Sequence, residues 1–550
     1  MSSTSDNLPL APILTDSEIA ALSQLLYKSA LQHDISLHNI DGTSSLDENN
    51  GSTSAHQGFA NRYDTSSYER PPNILNAFAF VSAKYESSAQ YMALSAAMGQ
   101  KVYVYIAWNW EKPNEEVKIH LKSLWTHMQC IAYVRHYIRC GNASERRGWA
   151  SIEIEEAPSG VKEILSGRFS GRDPDLIVLE ELHKKFMHGV QTFCYPKTRR
   201  RVKKYLAPGI SEFYKFYFDI NRDFVNHGDV LAKVIHSLYY ISRIVMVNIN
   251  EDNPDNFSGL DWSQLLHMFR VLHHRYIANV DEILGRARLI LHTCRELQEV
   301  KEDTTLHNFN IVKAIYKISE LGTYIYELLD FAYSPRRHAV LQKDIEIIFV
   351  DSIVDRAPEP LSHHEMTAIA KLVFDTTWYN PATNFYERML AAHERQTKSV
   401  EAALSARASS LSVHPEMALL IYHHQQFAKH RSNPEFIAPF EYIAVNGSPC
   451  ICSRAMLDAY SKATERSFIL YGHNPKLSAP WWAATDCFEP KLAAAMKRIF
   501  YWNMVEVYTA QLREFEELGG VKKQDGFDEV PLDNSVAQPE DGLEKKRKKK

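Results

Sequence analysis

Val413-His414-Pro415-Glu416-Met417 runs directly into the apolar string Ala418, Leu419, Leu420, Ile421 and Tyr422, and further on comes Gly447-Ser448-Pro449-Cys450-Ile451-Cys452. These two strings decide the reading of the fold. Proline suits the first position of a helix, where a missing N–H costs nothing, so His414 is expected to cap a helix and Glu416 to sit in its first turn. The run Tyr442 to Val445 reads as a strand, and Pro449 marks where it gives way to a second helix. Cys450 then stands at that helix N-terminus, where the positive end of the macrodipole lowers a thiol's pKa and favours the thiolate. The interval between His414 and Cys450 holds one helix and one strand with their loops, which makes a helix–strand–helix unit.

Working outward, Ser467 to Tyr471 reads as another strand, and Ser362-His-His-Glu365 as a capping box that opens a helix. Residues 362–518 are therefore expected to form an α/β domain, a mixed sheet covered by helices. The break at Arg356-Ala-Pro-Glu-Pro360 separates it from residues 73–355, where helical spacing dominates. Ile74, Phe78, Val81 and Tyr85 recur at that spacing, and so do the stretches Leu231 to Ile249, Leu265 to Leu291 and Ile311 to Leu329, with Gly285 and Gly322 as weak points. Val102 to Ile106, Ile152 to Ile154 and Ile345 to Val350 intrude as β-like runs. Residues 1–72 read as a short helix near 16–32 followed by a polar linker, and 519–550 as a disordered tail.

The chain has 550 residues, 45% hydrophobic and 23% charged, which is a globular composition. Its 62 basic and 67 acidic side chains give a net charge of −5, which excludes a histone-like polycation. Seven scattered cysteines make no disulfide framework and suggest a reducing compartment. Met1-Ser-Ser-Thr-Ser-Asp6 has no signal-peptide character, and Arg243 interrupts the best apolar run, so no membrane span is expected. The expected location is intracellular, in the cytoplasm or, given the basic cluster Lys545 to Lys550, the nucleus. A second basic run, Lys197 to Lys204, suits phosphates or an acidic partner, with a solvated loop as the plainer alternative. No Gly-rich phosphate loop, G-x-S-x-G or H-E-x-x-H string occurs, which argues against nucleotide hydrolases, esterases and zincins.

Together the two strings resemble the H-x-E … P-C-x-x-C signature of zinc-dependent deaminases. The chain looks like a member of the cytidine-deaminase-like superfamily, in particular its divergent deaminase-like domains from fungi. The strand at Ser467 to Tyr471, Gly472-His473 and the loop ending Pro480-Trp481-Trp482 extend the likeness, which covers about residues 365–515. The resemblance implies Zn²⁺ held by His414, Cys450 and Cys452. Glu416 would move protons in the hydrolytic deamination of a nucleobase, in a nucleotide or a nucleic acid. Trp481, Trp482 and His473 become candidate substrate contacts. The family places its second cysteine three residues after the first, where this chain has Ser453, and its β-hairpin is not visible before His414, where residues 383–408 carry a helical pattern. Two other functions stand beside the enzymatic one: a deaminase-like binding module without catalysis, or a protein that binds partners through the helical region. The plainer roles of the motif residues are a capping or core histidine, a first-turn acid and two buried thiols.

Overall fold

The structure is a computed structural model. It describes residues 73–85, 91–108, 115–139, 161–162 with 164, 176–220, 229–299 apart from 252–253, 309–351, 413–470 apart from 431–432, 434–435, 448, 450 and 465, and 484–517. The expected helix near 16–32, the run Ile152 to Ile154, the capping box at 362–365, the pattern at 383–408 and both chain ends lie outside the described residues.

Helix α1 (Asn73–Ser82) leads into the antiparallel hairpin β1 (Met92–Met98) and β2 (Val102–Trp108), in which Met92 faces Trp108. A series of helices follows: α2 (Glu115–Arg139), α3 (Leu176–Phe193), α4 (Tyr195–Arg201) running into a π-turn at Val202–Leu206, α5 (Ile210–Ile220), α6 (Val230–Val247), α7 (Gly259–Ala278), α8 (Val280–Glu299), α9 (Ile311–Tyr333) and the short α10 (His338–Leu341). Then come β3 (Ile345–Phe349), α11 (Pro415–Lys429), β4 (Tyr442–Val445), α12 (Ile451–Ala463), β5 (Ile469–Leu470) and α13 (Pro490–Glu517).

The strands form one mixed sheet in the order β3-β2-β1-β4-β5. β1 is antiparallel to both neighbours, with Ala93 opposite Val445 of β4, whereas β3 runs parallel to β2 and β5 parallel to β4. Because side chains alternate across a strand, each face of the sheet has its own core. Met92, Leu94, Ala96, Val104 and Ile106 pack on α1, α2, α3 and α9. Ala93, Ala107, Ile443 and Val445 pack on α11, α12 and α13.

The expected α/β architecture with a large helical region is present, but the boundary expected near residues 355–362 runs through this sheet. Three strands come from the segment expected to be helical, and two from the segment expected to form the α/β domain. A parallel pair needs a crossover connection, and between β2 and β3 that connection carries a helical assembly with a core of its own, built around Tyr195, Phe213, Leu238, Phe269 and Ile315. Helix α9 joins the two parts. Ile311, Ala314, Ile315 and Ile318 enter the helical core, and Leu321, Ile325, Leu328, Leu329 and Ala332 continue the same stripe into the sheet core.

Two readings at helix scale change. The stretch Leu265 to Leu291 is two helices, because Asn279 leaves the helical conformation at φ −143°, ψ 33°. The basic run Lys197 to Lys204 is helical throughout and not a loop. Lys197 is buried, donates to the Phe80 carbonyl at 2.6 Å and lies over the Phe80 ring, while Arg201 bonds the Lys317 carbonyl and Glu320. Gly322 admits a close approach of α7, since a Cβ there would strike the His273 imidazole. One helix among those described, α6, is long and apolar enough to cross a membrane by length and composition, and half of it is buried inside the protein.

Candidate functional site

The centre of interest lies on the sheet face covered by α11 and α12. Val413 is buried, and His414 takes φ −59°, ψ 143° ahead of Pro415. Its carbonyl accepts from the Met417 and Ala418 amides, but its imidazole makes no capping bond. Lower down, His423 Nε2 lies 2.7 Å from Ser95 Oγ on β1, and His424 meets the Tyr460 hydroxyl at 3.2 Å and Glu489 at 2.9 Å. These contacts pin α11 to the strand beneath it and to α12 beside it. Burial pushes the His423 imidazole down to about 4, so it is neutral at pH 7.

β4 hands the chain to the site in an ordered way. Asn446 bonds Met92 through both its amide, at 3.1 Å, and its side-chain oxygen, at 2.9 Å, which prolongs the β1–β4 pairing by one residue. Helix α12 begins at Ile451, so Cys450 is the residue immediately before it.

Four side chains meet where α11 and α12 begin. His414 Nδ1 lies 3.3 Å from Ser453 Oγ and 3.6 Å from Glu416 Oε1. The Tyr91 hydroxyl, one residue ahead of β1, donates to the same Glu416 oxygen at 3.3 Å. Glu416 and Ser453 are fully buried and His414 is 6% exposed. The other carboxylate oxygen, Glu416 Oε2, is buried and has no hydrogen-bond partner among the described residues. A buried polar atom in that condition costs roughly 1–3 kcal/mol unless a ligand or water meets it. Glu416 and Ser453 both lie in the first turns of their helices, where the positive end of the macrodipole is felt.

The residues named from the sequence divide into three groups. His414 and Glu416 lie together, with Nδ1 3.6 Å from Oε1. Cys452 sits in the apolar core with Met417, Met456 and Tyr460, while the next residue, about 100° further round the helix, is the one that reaches His414. Cys450, His473, Trp481 and Trp482 lie outside the described residues. Among those described, no group of three His, Cys, Asp or Glu side chains gathers as a metal site. Tyr91 was not foreseen, and nothing local in Tyr91-Met-Ala-Leu marks it, because its partner is 325 positions away.

No family model, curated protein or solved structure matches this chain.

Proposed function

We propose that this protein is a deaminase-like α/β protein whose His414–Glu416 centre supports zinc-dependent hydrolytic deamination of a nucleobase. The observation that carries the reading is the buried Glu416 carboxylate, held 3.6 Å from His414 Nδ1 with one oxygen that has no hydrogen-bond partner among the described residues. A hydrolase of this class needs a carboxylate with an oxygen that can reach water and substrate. The sheet also supports it: an antiparallel hairpin beside β4 and β5, with the helices that carry the two motifs side by side on one face, suits the expected helix–strand–helix unit.

The donor chemistry fits zinc in part. His414 supplies an imidazole, Cys450 a thiol at the N-terminus of α12, and Ser453 a hydroxyl where the resemblance implies a second thiolate. When bound, the ion would supply a water acidified to near neutral pH. Glu416 would take a proton at Oε2 and return it to the ring nitrogen of the base. Tyr91 holds the other oxygen and so fixes the carboxylate plane. Burial of His414, Glu416 and Ser453 keeps bulk water from competing. Trp481, Trp482 and His473 are proposed to contact a nucleotide or a single-stranded nucleic acid.

Ser453 favours a second reading, a binding module that keeps the fold and has lost the chemistry. Zinc-loaded full-length protein, incubated with cytosine- and adenine-bearing nucleosides, nucleotides and single strands, separates the two. The proposal expects ammonia release that disappears, together with the bound metal, in His414→Ala. Metal binding with no ammonia from any substrate would leave the binding module.

A further inference from the structure

We propose that the basic face shared by the π-turn after α4 and by α9, with Lys203, Lys204, Lys313 and Lys317 set around Tyr205 and Tyr316, binds a single strand of nucleic acid. Binding there needs no metal and goes beyond the zinc reading above. The basic run divides into an inward and an outward set. Lys197, Arg199 and Arg201 donate to backbone carbonyls, those of Phe80, of Ile249 and Glu251, and of Lys317. Val202 and Leu206 are buried in the helical core, and Lys203 and Lys204 between them stand exposed, as does Arg200 one turn before.

Helix α9 brings the second half of the face. Lys313, Tyr316 and Lys317 lie at helical spacing and so share one side of it. Tyr205 joins the two halves, because the Lys204 ammonium lies 5.3 Å and the Lys313 ammonium 5.7 Å from its ring centre. The Lys317 ammonium is 5.0 Å from the centre of the Tyr316 ring, and Tyr316 is 49% exposed. Lys203, Lys204 and Lys313 form no ion pair among the described residues. Glu320, 3.8 Å from Lys317, is also held by Arg201 at 2.6 Å. Uncompensated cations in a chain of net charge −5 favour an anionic partner. Rings flanked by ammonium groups suit a strand whose bases stack while its phosphates meet the cations. A lipid surface would need an exposed apolar stripe to enter the headgroup boundary, whereas this face presents cations and two phenols.

The test titrates labelled single-stranded DNA and RNA of about 16 nucleotides into the full-length protein at several salt concentrations. Vesicles of phosphatidylcholine and phosphatidylserine serve as a second probe, and circular dichroism checks folding. At least one oligonucleotide should bind saturably, and alike to metal-stripped and zinc-loaded protein, so this face and the zinc centre fail separately. The combined Lys203→Ala, Lys204→Ala and Lys313→Ala variant should bind about tenfold or more weaker. Its slope of log affinity against log salt should flatten by about 2, since each phosphate contact contributes about 0.7. Tyr316→Ala should weaken binding about fivefold or more with the slope unchanged, and Tyr316→Phe should restore it. If the triple variant does not fold, Lys203→Ala and Tyr316→Ala decide by the same two signatures. Binding that survives the triple variant belongs to another basic segment, such as Lys545 to Lys550, and overturns the inference. So would no saturable binding of either oligonucleotide, or vesicle binding lost in the triple variant while oligonucleotide binding is kept.

Discussion

Glu416 shows how much a single side chain can disclose. Its position in the first turn of a helix could be read from Pro415, because the signal is local. So could its pairing with His414, two residues away. Tyr91 and Ser453 could not be read in the same way, since their parts depend on a strand 325 positions distant and on where α12 starts. A one-residue difference in that start exchanges Cys452 for Ser453 at the imidazole. The role of Glu416 makes a residue-level prediction. Glu416→Gln keeps shape and burial but cannot carry a proton, so ammonia release should fall by about 10²–10⁴-fold. At zinc concentrations that saturate the parent, one equivalent should still be bound in the same samples. Activity within tenfold of the parent would remove Glu416 from the chemistry.

Among the elements, those with ordinary periodicity were legible and the central strand was not. β2, β3, β4 and β5 carry β-branched or aromatic residues, whereas β1, Met92-Ala-Leu-Ser-Ala-Ala-Met98, has none. It is buried on both faces, so it also lacks the alternation that marks a half-buried strand. Helix packing supplies a pH prediction. His273 on α7 is fully buried against Gly322 of α9, with neither ring nitrogen bonded among the described residues. Burial pushes its pKa from 6.5 down to about 3. The unfolded chain therefore takes up a proton below about pH 6.5 that the folded chain refuses. Stability is full above that pH and falls below it, by up to about 1.4 kcal/mol per pH unit for each such group. His120 and His423, pushed to about 4 by burial, add to the slope. Urea unfolding between pH 7 and 5 should show this decline, and His273→Leu should make it shallower. An identical slope in that variant would show that His273 is protonated in the folded state.

For the whole molecule, the decisive feature is that distant segments share one sheet. The sequence divides near residue 355 because composition and proline change there, but chain order does not fix strand order. β1 lies between β2 and β4, so the core beneath α11 and α12 includes Tyr91, Ala93 and Ala107. The helical assembly between β2 and β3 is tied to that sheet by the continuous apolar stripe of α9. Residues 356–550 alone would leave β4 without its β1 partner and Glu416 without the Tyr91 hydroxyl. The most direct measurement is zinc stoichiometry and affinity for the full-length chain beside the isolated segment 356–550, with cooperative urea unfolding as the check on folding. The account predicts one equivalent bound by the full chain, and neither cooperative unfolding nor specific zinc in the segment. A segment that unfolds cooperatively and binds zinc as tightly as the full chain would contradict it, as would a full chain that binds none.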